Sequence, residues 1–319
     1  MNIRPIIIIS GEPYGIFNEI FLKIKKKNFF KKPIILIGSK KILIKKNKKI
    51  KHNFKLNLLN IKDIRIDKLK KDKLTINLIN VDLSLKEKNK AIRNYIEKCF
   101  KIGLNITSKY TCAGLINGPV NKKTFLNYKY PGVTEYLAKK IKVKKFAMLI
   151  YSENLSVCPI TTHLPLKDIH KSISKRNIIE KTKLIFSFYK KKFNKKPRIA
   201  ITGLNPHCES PINLNEEKKI IIPAVKSLKK NKIPIKGPFS TDTLFMKNQI
   251  NKFDVIIGMY HDQVLTPMKA LYGFNAINIT LGLPFERISP DHGPNEKMFG
   301  KNKSNPLSFI KALKFLDTR

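Results

Sequence analysis

The sequence predicts an α/β protein built on a largely parallel sheet, and three observations carry that prediction. Short apolar runs rich in isoleucine, at residues 5–10, 33–38 and 253–257 among others, have the continuous pattern of strands buried on both faces. Most of them break at a glycine, a proline or a polar cluster, and a stretch of helical periodicity follows. This alternation persists along the chain instead of separating into a block of strands and a block of helices. At 319 residues and 36.8 kDa the chain is long enough for a sizeable core, arranged as two domains or one large α/β unit.

Taken in order, residues 5–10 form a first strand. Gly11-Glu-Pro-Tyr-Gly15 turns the chain, and residues 16–27 read as a helix. The turn is not G-x-G-x-x-G, and no dinucleotide fingerprint of that form occurs elsewhere. A second strand at 33–38 precedes a Lys/Asn-rich region, 39–86, whose alternations at 54–58 and 75–79 predict a small peripheral sheet. A long amphipathic helix is predicted from Leu85 to Gly103, then a strand at 112–117 that ends in a Gly-Pro turn. Thr134 is placed to cap a helix or to present its hydroxyl to an anion. Residues 146–150 and 155–160 predict a hairpin, 177–193 a helix, 198–203 a strand and 216–229 a helix. Another helix begins near Gly237 with Asp242 in its first turn. The strand at 253–257, a helix over Lys269 and a terminal helix at 306–316 complete the pattern.

The formal net charge of +43 invites a nucleic-acid reading. Only seven of the 65 basic residues are arginine, the better fork for phosphates and base edges. The lysines are spread over the whole length beside isoleucine and asparagine, which share A/T-rich codons. Compositional bias therefore accounts for the charge, and no specific nucleic-acid partner is expected. Cys99, Cys112, Cys158 and Cys208 show no C-x-x-C pairing and fit reduced thiols. No apolar run approaches the ~20 residues of a membrane span. The expectation is a cytoplasmic protein with no membrane association.

Three of the six histidines share one context: His163, His207 and His261 each follow the point where an apolar strand breaks. Parallel strands bring such ends to one edge of a sheet. Convergent imidazoles there, with Asp242 or Asp262 near, would suit a divalent ion with an open coordination position. Lys269, Asn278, Arg287 and Thr134 are suited to clamping a phosphate or carboxylate through charge-assisted bonds. Arg287 carries the most weight, because arginine is rare here and this one sits in an apolar Leu-Pro-Phe-Glu-Arg context.

At these residues the sequence resembles the 4-hydroxythreonine-4-phosphate dehydrogenase family of vitamin B6 biosynthesis. The resembling motifs include Gly11-Glu-Pro, Asn117-Gly-Pro-Val-Asn-Lys122, Gly132-Val-Thr-Glu-Tyr-Leu137 and Thr162-His-Leu-Pro-Leu-Lys-Asp168. The series continues through Gly203-Leu-Asn-Pro-His207, Gly237-Pro-Phe-Ser-Thr-Asp-Thr-Leu-Phe245, Tyr260-His-Asp-Gln263, Asn278-Ile-Thr-Leu-Gly-Leu-Pro-Phe285 and Asp291-His-Gly293. The resemblance implies a two-domain α/β/α fold like that of isocitrate and isopropylmalate dehydrogenases, with the active site in the interdomain cleft. The first domain would comprise residues 1–130 plus 282–319, on the nucleotide side. The second, 131–281, would carry metal and substrate residues and the dimer interface.

The implied activity is NAD- or NADP-dependent oxidation of 4-phosphooxy-threonine, followed by decarboxylation to 3-amino-2-oxopropyl phosphate. The implied site is shared across a homodimer and holds a divalent metal (zinc, magnesium or cobalt) on His163, His207 and His261. Thr134, Lys269, Asn278 and Arg287 fall on substrate contacts, Lys269 and Asp242 on catalytic positions, and His292, Gly293 and Asn295 on coenzyme contacts. Two departures from the family pattern stand out. Val133 replaces a substrate-binding histidine, and the C-terminal His-Gly-Thr-Ala-Phe-Asp segment reads His292-Gly-Pro-Asn-Glu-Lys297. A lysine there would suit the extra phosphate of NADP. Val133 motivates the nearest alternative, a relative acting on another phosphorylated hydroxy acid such as a phosphothreonate or phosphoerythronate.

Overall fold

The computed structural model describes residues 4–27, 30–50, 53–83, 88–127, 129–209 and 215–318. The chain divides into two compact units, one of residues 1–130 with 284–319, the other of residues 131–283.

In the first unit, β1 (Ile6–Ile9) leads through the Gly11–Gly15 turn to α1 (Phe17–Lys27), then β2 (Ile34–Gly38) and α2 (Lys40–Ile50). β3 (Lys55–Leu58) and β4 (Thr75–Asn80) follow, then α3 (Lys88–Lys109), β5 (Gly114–Asn117) and α4 (Lys122–Leu126). The expected start of the third helix at Leu85 lies outside the described residues. The four isoleucines of β1 are fully buried, as expected for a strand with helices over both faces. The peripheral sheet expected within 39–86 is corrected. β3 pairs with β4 and β4 with β2, all parallel, so both strands extend the unit's own sheet. Asn77 makes this possible at a buried position. Its amide donates to the carbonyls of Ile34 and Lys70, and its oxygen accepts from Asn57. α2 was not anticipated, because its lysine-rich sequence reads as a solvated segment while lysine is a good helix former.

The second unit runs through α5 (Val133–Lys140), β6 (Ala147–Tyr151), β7 (Ser156–Pro159), α6 (Ile169–Ser172), α7 (Lys175–Phe193) and β8 (Ile199–Thr202). A π turn at Glu217–Ile221 opens α8 (Ile222–Lys230), and β9 (Ile235–Phe239), α9 (Thr241–Leu244) and α10 (Lys247–Ile250) follow. β10 (Val255–Gly258), α11 (His261–Tyr272) and β11 (Ile277–Leu281) end the unit. Its strands lie in the order β11-β6-β7-β10-β8-β9. β7, β10, β8 and β9 are parallel, whereas β6 is antiparallel to both β7 and β11, as the predicted hairpin requires. The chain then returns to the first unit with β12 (Arg287–Pro290), parallel to β5, and α12 (Leu307–Asp317). The first unit's strand order is β3-β4-β2-β1-β5-β12. The α/β class is therefore as expected. Among the described residues no helix is long and apolar enough to cross a membrane.

Candidate active site

In the second unit, β7, β8 and β10 end within a few residues of His163, His207 and His261 respectively. His261 opens α11 directly after the Gly258-Met-Tyr260 break, and His163 lies in the loop after β7. Their rings approach to 5.7 Å between centroids. His207 lies in the loop after β8, and its charge helps hold the Asp242 carboxyl below its usual range, after hydrogen bonds from the Ser240 hydroxyl and the Thr243 N–H. His163 and His207 both occupy the left-handed backbone region, at φ 52° and 55°. That conformation costs roughly 1–2 kcal/mol for a non-glycine residue and collects at functional sites.

Buried polar groups hold these loops. Glu217, only 1% exposed, accepts from the backbone N–H groups of Leu204 and Asn205 at 2.7 and 2.9 Å. Burial opposes its ionisation, yet those donors keep its carboxyl below the usual range. Gln263 sits under the neighbouring loop. Its oxygen accepts from the Thr202 hydroxyl at 2.9 Å and the Met259 N–H at 2.6 Å. Its amide donates to the Gly203 carbonyl at 2.8 Å and to Thr241 Oγ1 at 3.0 Å. The glutamine thus ties β8, the β10–α11 break and α9 together. His261 and Asp262, its two predecessors, are left facing outward.

A carboxylate stands behind each of the two adjacent imidazoles. Asp262 Oδ1 lies 2.6 Å from His261 Nδ1, and Glu135 Oε1 lies 3.9 Å from His163 Nδ1. Burial opposes ionisation of Glu135, but His163 and the Thr162 hydroxyl bring its carboxyl down to about 2. Carboxylates at Nδ1 favour the tautomer that leaves Nε2 as the ligand atom, the arrangement that supports histidine metal ligands. His163 and His261 therefore fit a divalent ion. Among the described residues, no group of three or more His, Cys, Asp or Glu side chains gathers as a complete metal site, so His207 does not join them within one chain.

The anion-holding candidates divide in the same way. Thr134 is buried in α5, 3.3 Å from the hydroxyl of Thr280 on β11. Asn278 lies two residues from Thr280 on the same face of that strand, and its Oδ1 is buried with no hydrogen-bond partner among the described residues. Val133 is the partly buried first residue of α5. Lys269 is exposed on α11, its ammonium 5.7 Å from the centre of the Phe274 ring. Arg287 belongs to the first unit, 2% exposed, where its Nε–H donates to Asn117 Oδ1 at 2.8 Å. His292, Gly293 and Asn295 lie together in the loop after β12. There the Pro294 carbonyl accepts from Ile16 N, and Glu296 accepts from the Asn121 amide at 2.9 Å.

Sequence reasoning assigned no role to Glu135, Gln263, Asn117 or Thr280. Glu135 could have been found, since it stands one residue from Thr134 in a motif already singled out; the others are visible only through their partners. Gly132 is tightly enclosed: a Cβ there would lie 2.6 Å from Glu135 Oε2 and 2.7 Å from His163 Cε1. Gly132→Ala is accordingly expected to displace the His163 ring with the fold retained, and a misplacement of ~1 Å at a site residue can cost about 100-fold in turnover. Steady-state rates beside a circular dichroism spectrum check this.

A model of the family described as pyridoxal phosphate biosynthetic protein PdxA matches residues 30–316. The 4-hydroxythreonine-4-phosphate dehydrogenase of Sulfurihydrogenibium sp. is 42% identical over 318 residues, covering 96% of this chain and 95% of that protein. Among solved structures, the 4-hydroxythreonine-4-phosphate dehydrogenase of Klebsiella pneumoniae superposes with a TM-score of 0.83 at 27% identity, covering 98% of each chain. Isocitrate dehydrogenase from Methylococcus capsulatus shares the fold at 11% identity, with a TM-score of 0.53 over 98% of this chain and 84% of that one. A dehydrogenase of this kind implies a nicotinamide coenzyme and a small phosphorylated substrate. The family match spans most of the chain and includes His163, His207 and His261, and with it the chain belongs to the PdxA family, an oxidoreductase of pyridoxal phosphate biosynthesis.

Proposed function

We propose that this protein oxidises 4-phosphooxy-L-threonine with NAD or NADP and decarboxylates the product to 3-amino-2-oxopropyl phosphate, on the route to pyridoxine 5'-phosphate. The observation that carries the reading is the pair of carboxylate-backed imidazoles, His163 and His261, at the carboxyl edge of the second unit's sheet. The full-length similarity to dehydrogenases named for this substrate supports it.

His163, His207 and His261 are assigned to a divalent metal (zinc, magnesium or cobalt), which would lower the pKa of the substrate hydroxyl and draw charge from the carbonyl that replaces it. Within one chain the His163 and His261 rings lie 5.7 Å apart, and we assign completion of the ligand set to a second copy in a homodimer. Thr134 and Asn278 offer a hydroxyl and a buried amide oxygen on one face of the second unit, suited to the substrate's ammonium and oxygen atoms. Lys269 and Arg287 supply the positive charge for its phosphate and carboxylate, with Asn117 fixing the plane of the Arg287 guanidinium. Asp242, kept ionised by Ser240 and Thr243, and Lys269 are the groups assigned to move protons. His292, Gly293 and Asn295 are assigned to the nicotinamide coenzyme, which accepts the hydride. The protein is assigned to the cytoplasm.

Purified protein with a divalent metal and NAD or NADP is expected to reduce the coenzyme when given 4-phosphooxy-threonine. His261→Ala is expected to lower that rate by at least about 100-fold. Turnover confined to phosphothreonate or phosphoerythronate would replace this reading with the alternative that Val133, in place of a substrate-binding histidine, motivates.

A further inference from the structure

Glu135 stands in the first turn of α5, and its carboxylate reaches the loop that carries Thr162 and His163. One oxygen accepts the Thr162 hydroxyl at 2.8 Å and faces His163 Nδ1 at 3.9 Å. The other, Oε2, is buried without a hydrogen-bond partner among the described residues. A desolvated carboxylate oxygen with no partner is costly, which leaves this group an unused acceptor beside the His163 ring. Gly132 leaves the space for this contact. Any side chain there would press on both Glu135 Oε2 and the His163 ring. Asp262 stands behind His261 in a comparable way, but it is adjacent in sequence and its side chain is 79% exposed. Glu135 comes from a different element and its side chain is 17% exposed.

We propose that Glu135 is a positioning residue for His163. Its carboxylate claims the Nδ1–H of the imidazole, which fixes the ring plane and the tautomer and presents the Nε2 lone pair to the metal. At 3.9 Å the contact is electrostatic, and the positioning role requires the two atoms to close to hydrogen-bond distance when metal binds. The helix thereby links two functions. Thr134, one residue earlier, faces β11 and the candidate substrate groups, while Glu135 faces the candidate metal ligand. The inference rests on the reading of His163 as a ligand.

The test is calorimetric titration of Co²⁺ into the full-length protein after chelation of bound metal, with the visible spectrum of the cobalt form recorded in parallel. Glu135→Ala is expected to weaken Co²⁺ by about 10–100-fold and to alter the cobalt absorption bands, the usual effect of removing the carboxylate behind a histidine ligand. Glu135→Gln, whose carbonyl still accepts from Nδ1–H, recovers most of the affinity. Thr162→Val, which removes only the other partner of Oε1, leaves affinity within about twofold, since the ring contact is untouched. Where Glu135→Ala fails to fold, Glu135→Asp withdraws the same charge by one methylene. A fall in Co²⁺ affinity there supports the inference, and wild-type affinity overturns it. Wild-type affinity in Glu135→Ala, with binding lost in His163→Ala, overturns the positioning role alone. Wild-type affinity in His163→Ala overturns the ligand assignment, and the inference with it.

Discussion

Gln263→Leu is expected to lower the thermal midpoint of the protein by roughly 10 °C and to abolish most turnover. The glutamine is 8% exposed and satisfies four partners on three segments: Thr202, Gly203, Met259 and Thr241. Leucine fills a similar volume but leaves the Met259 N–H and the Gly203 carbonyl without partners. Each buried orphan costs about 1–3 kcal/mol, so the pair and the lost hydroxyl contacts come to about 3–5 kcal/mol. For a unit of this size each kcal/mol moves the midpoint by roughly 2–4 °C. Turnover falls for a separate reason. Gln263 sets the start of α11, where His261 stands, and the turn before Asp242, so its loss frees two candidate site residues at once. Gln263→Glu retains the two acceptor contacts and loses the donors, and an intermediate midpoint is expected. Circular dichroism melts of the three proteins decide the matter. A leucine variant melting within about 2 °C of wild type would show that the network contributes little.

The second large effect is a pH dependence centred on Glu12. Its side chain is 2% exposed, and one carboxylate oxygen accepts from Asn121 N at 3.2 Å. Burial pushes its pKa up to about 7, opposed by the Asn121 N–H and assisted by the charge of Glu296. The folded protein therefore binds this proton more tightly than the unfolded chain does. The stabilisation is complete below the unfolded value near 4.5 and is lost as pH rises through about 7. Its full size is about 3–4 kcal/mol, of which about 2–3 kcal/mol is lost between pH 5 and pH 8. Glu12→Gln carries no titrating group, so its stability relative to wild type is expected to grow by about that amount between pH 5 and pH 8. Urea unfolding of both proteins at the two pH values measures the difference. Comparison within the pair cancels Glu135 and Glu217, whose depressed carboxyls act in the opposite sense. A difference that stays constant with pH would mean that Glu12 titrates as an exposed glutamate.

The sequence was most legible where one interaction dominates. Fully buried strands announce themselves as unbroken apolar runs, and β1, β2 and β10 fall where isoleucine and valine concentrate. The α2–β4 region was misread because its lysines carry long aliphatic stems that a helix face tolerates. Its edge strand is also secured by Asn77, whose four hydrogen bonds reach three residues scattered across the sequence. At the site, spacing from strand ends is local information, and it drew attention to His163, His207 and His261. What stands behind a ligand is non-local: Glu135 meets His163 across 28 positions, and Gln263 meets Thr202 across 61. Arg287 shows the same limit, because its rarity was visible while its tie to Asn117, 170 positions away, was not.

β12 and α12 belong with the first 130 residues although the whole second unit separates them in sequence. On the ribosome, residues 131–283 emerge as one uninterrupted stretch and can collapse while the first unit still lacks a strand. Until residue 287 is made, the edge of β5 that β12 will cover remains an unpaired strand edge. Asp317 closes the unit late as well, accepting from the backbone N–H groups of Lys31 and Lys32 at 2.9 Å. The half that carries the candidate metal ligands can thus take shape first, while the half assigned to the coenzyme, Arg287 included, waits for the last thirty-odd residues.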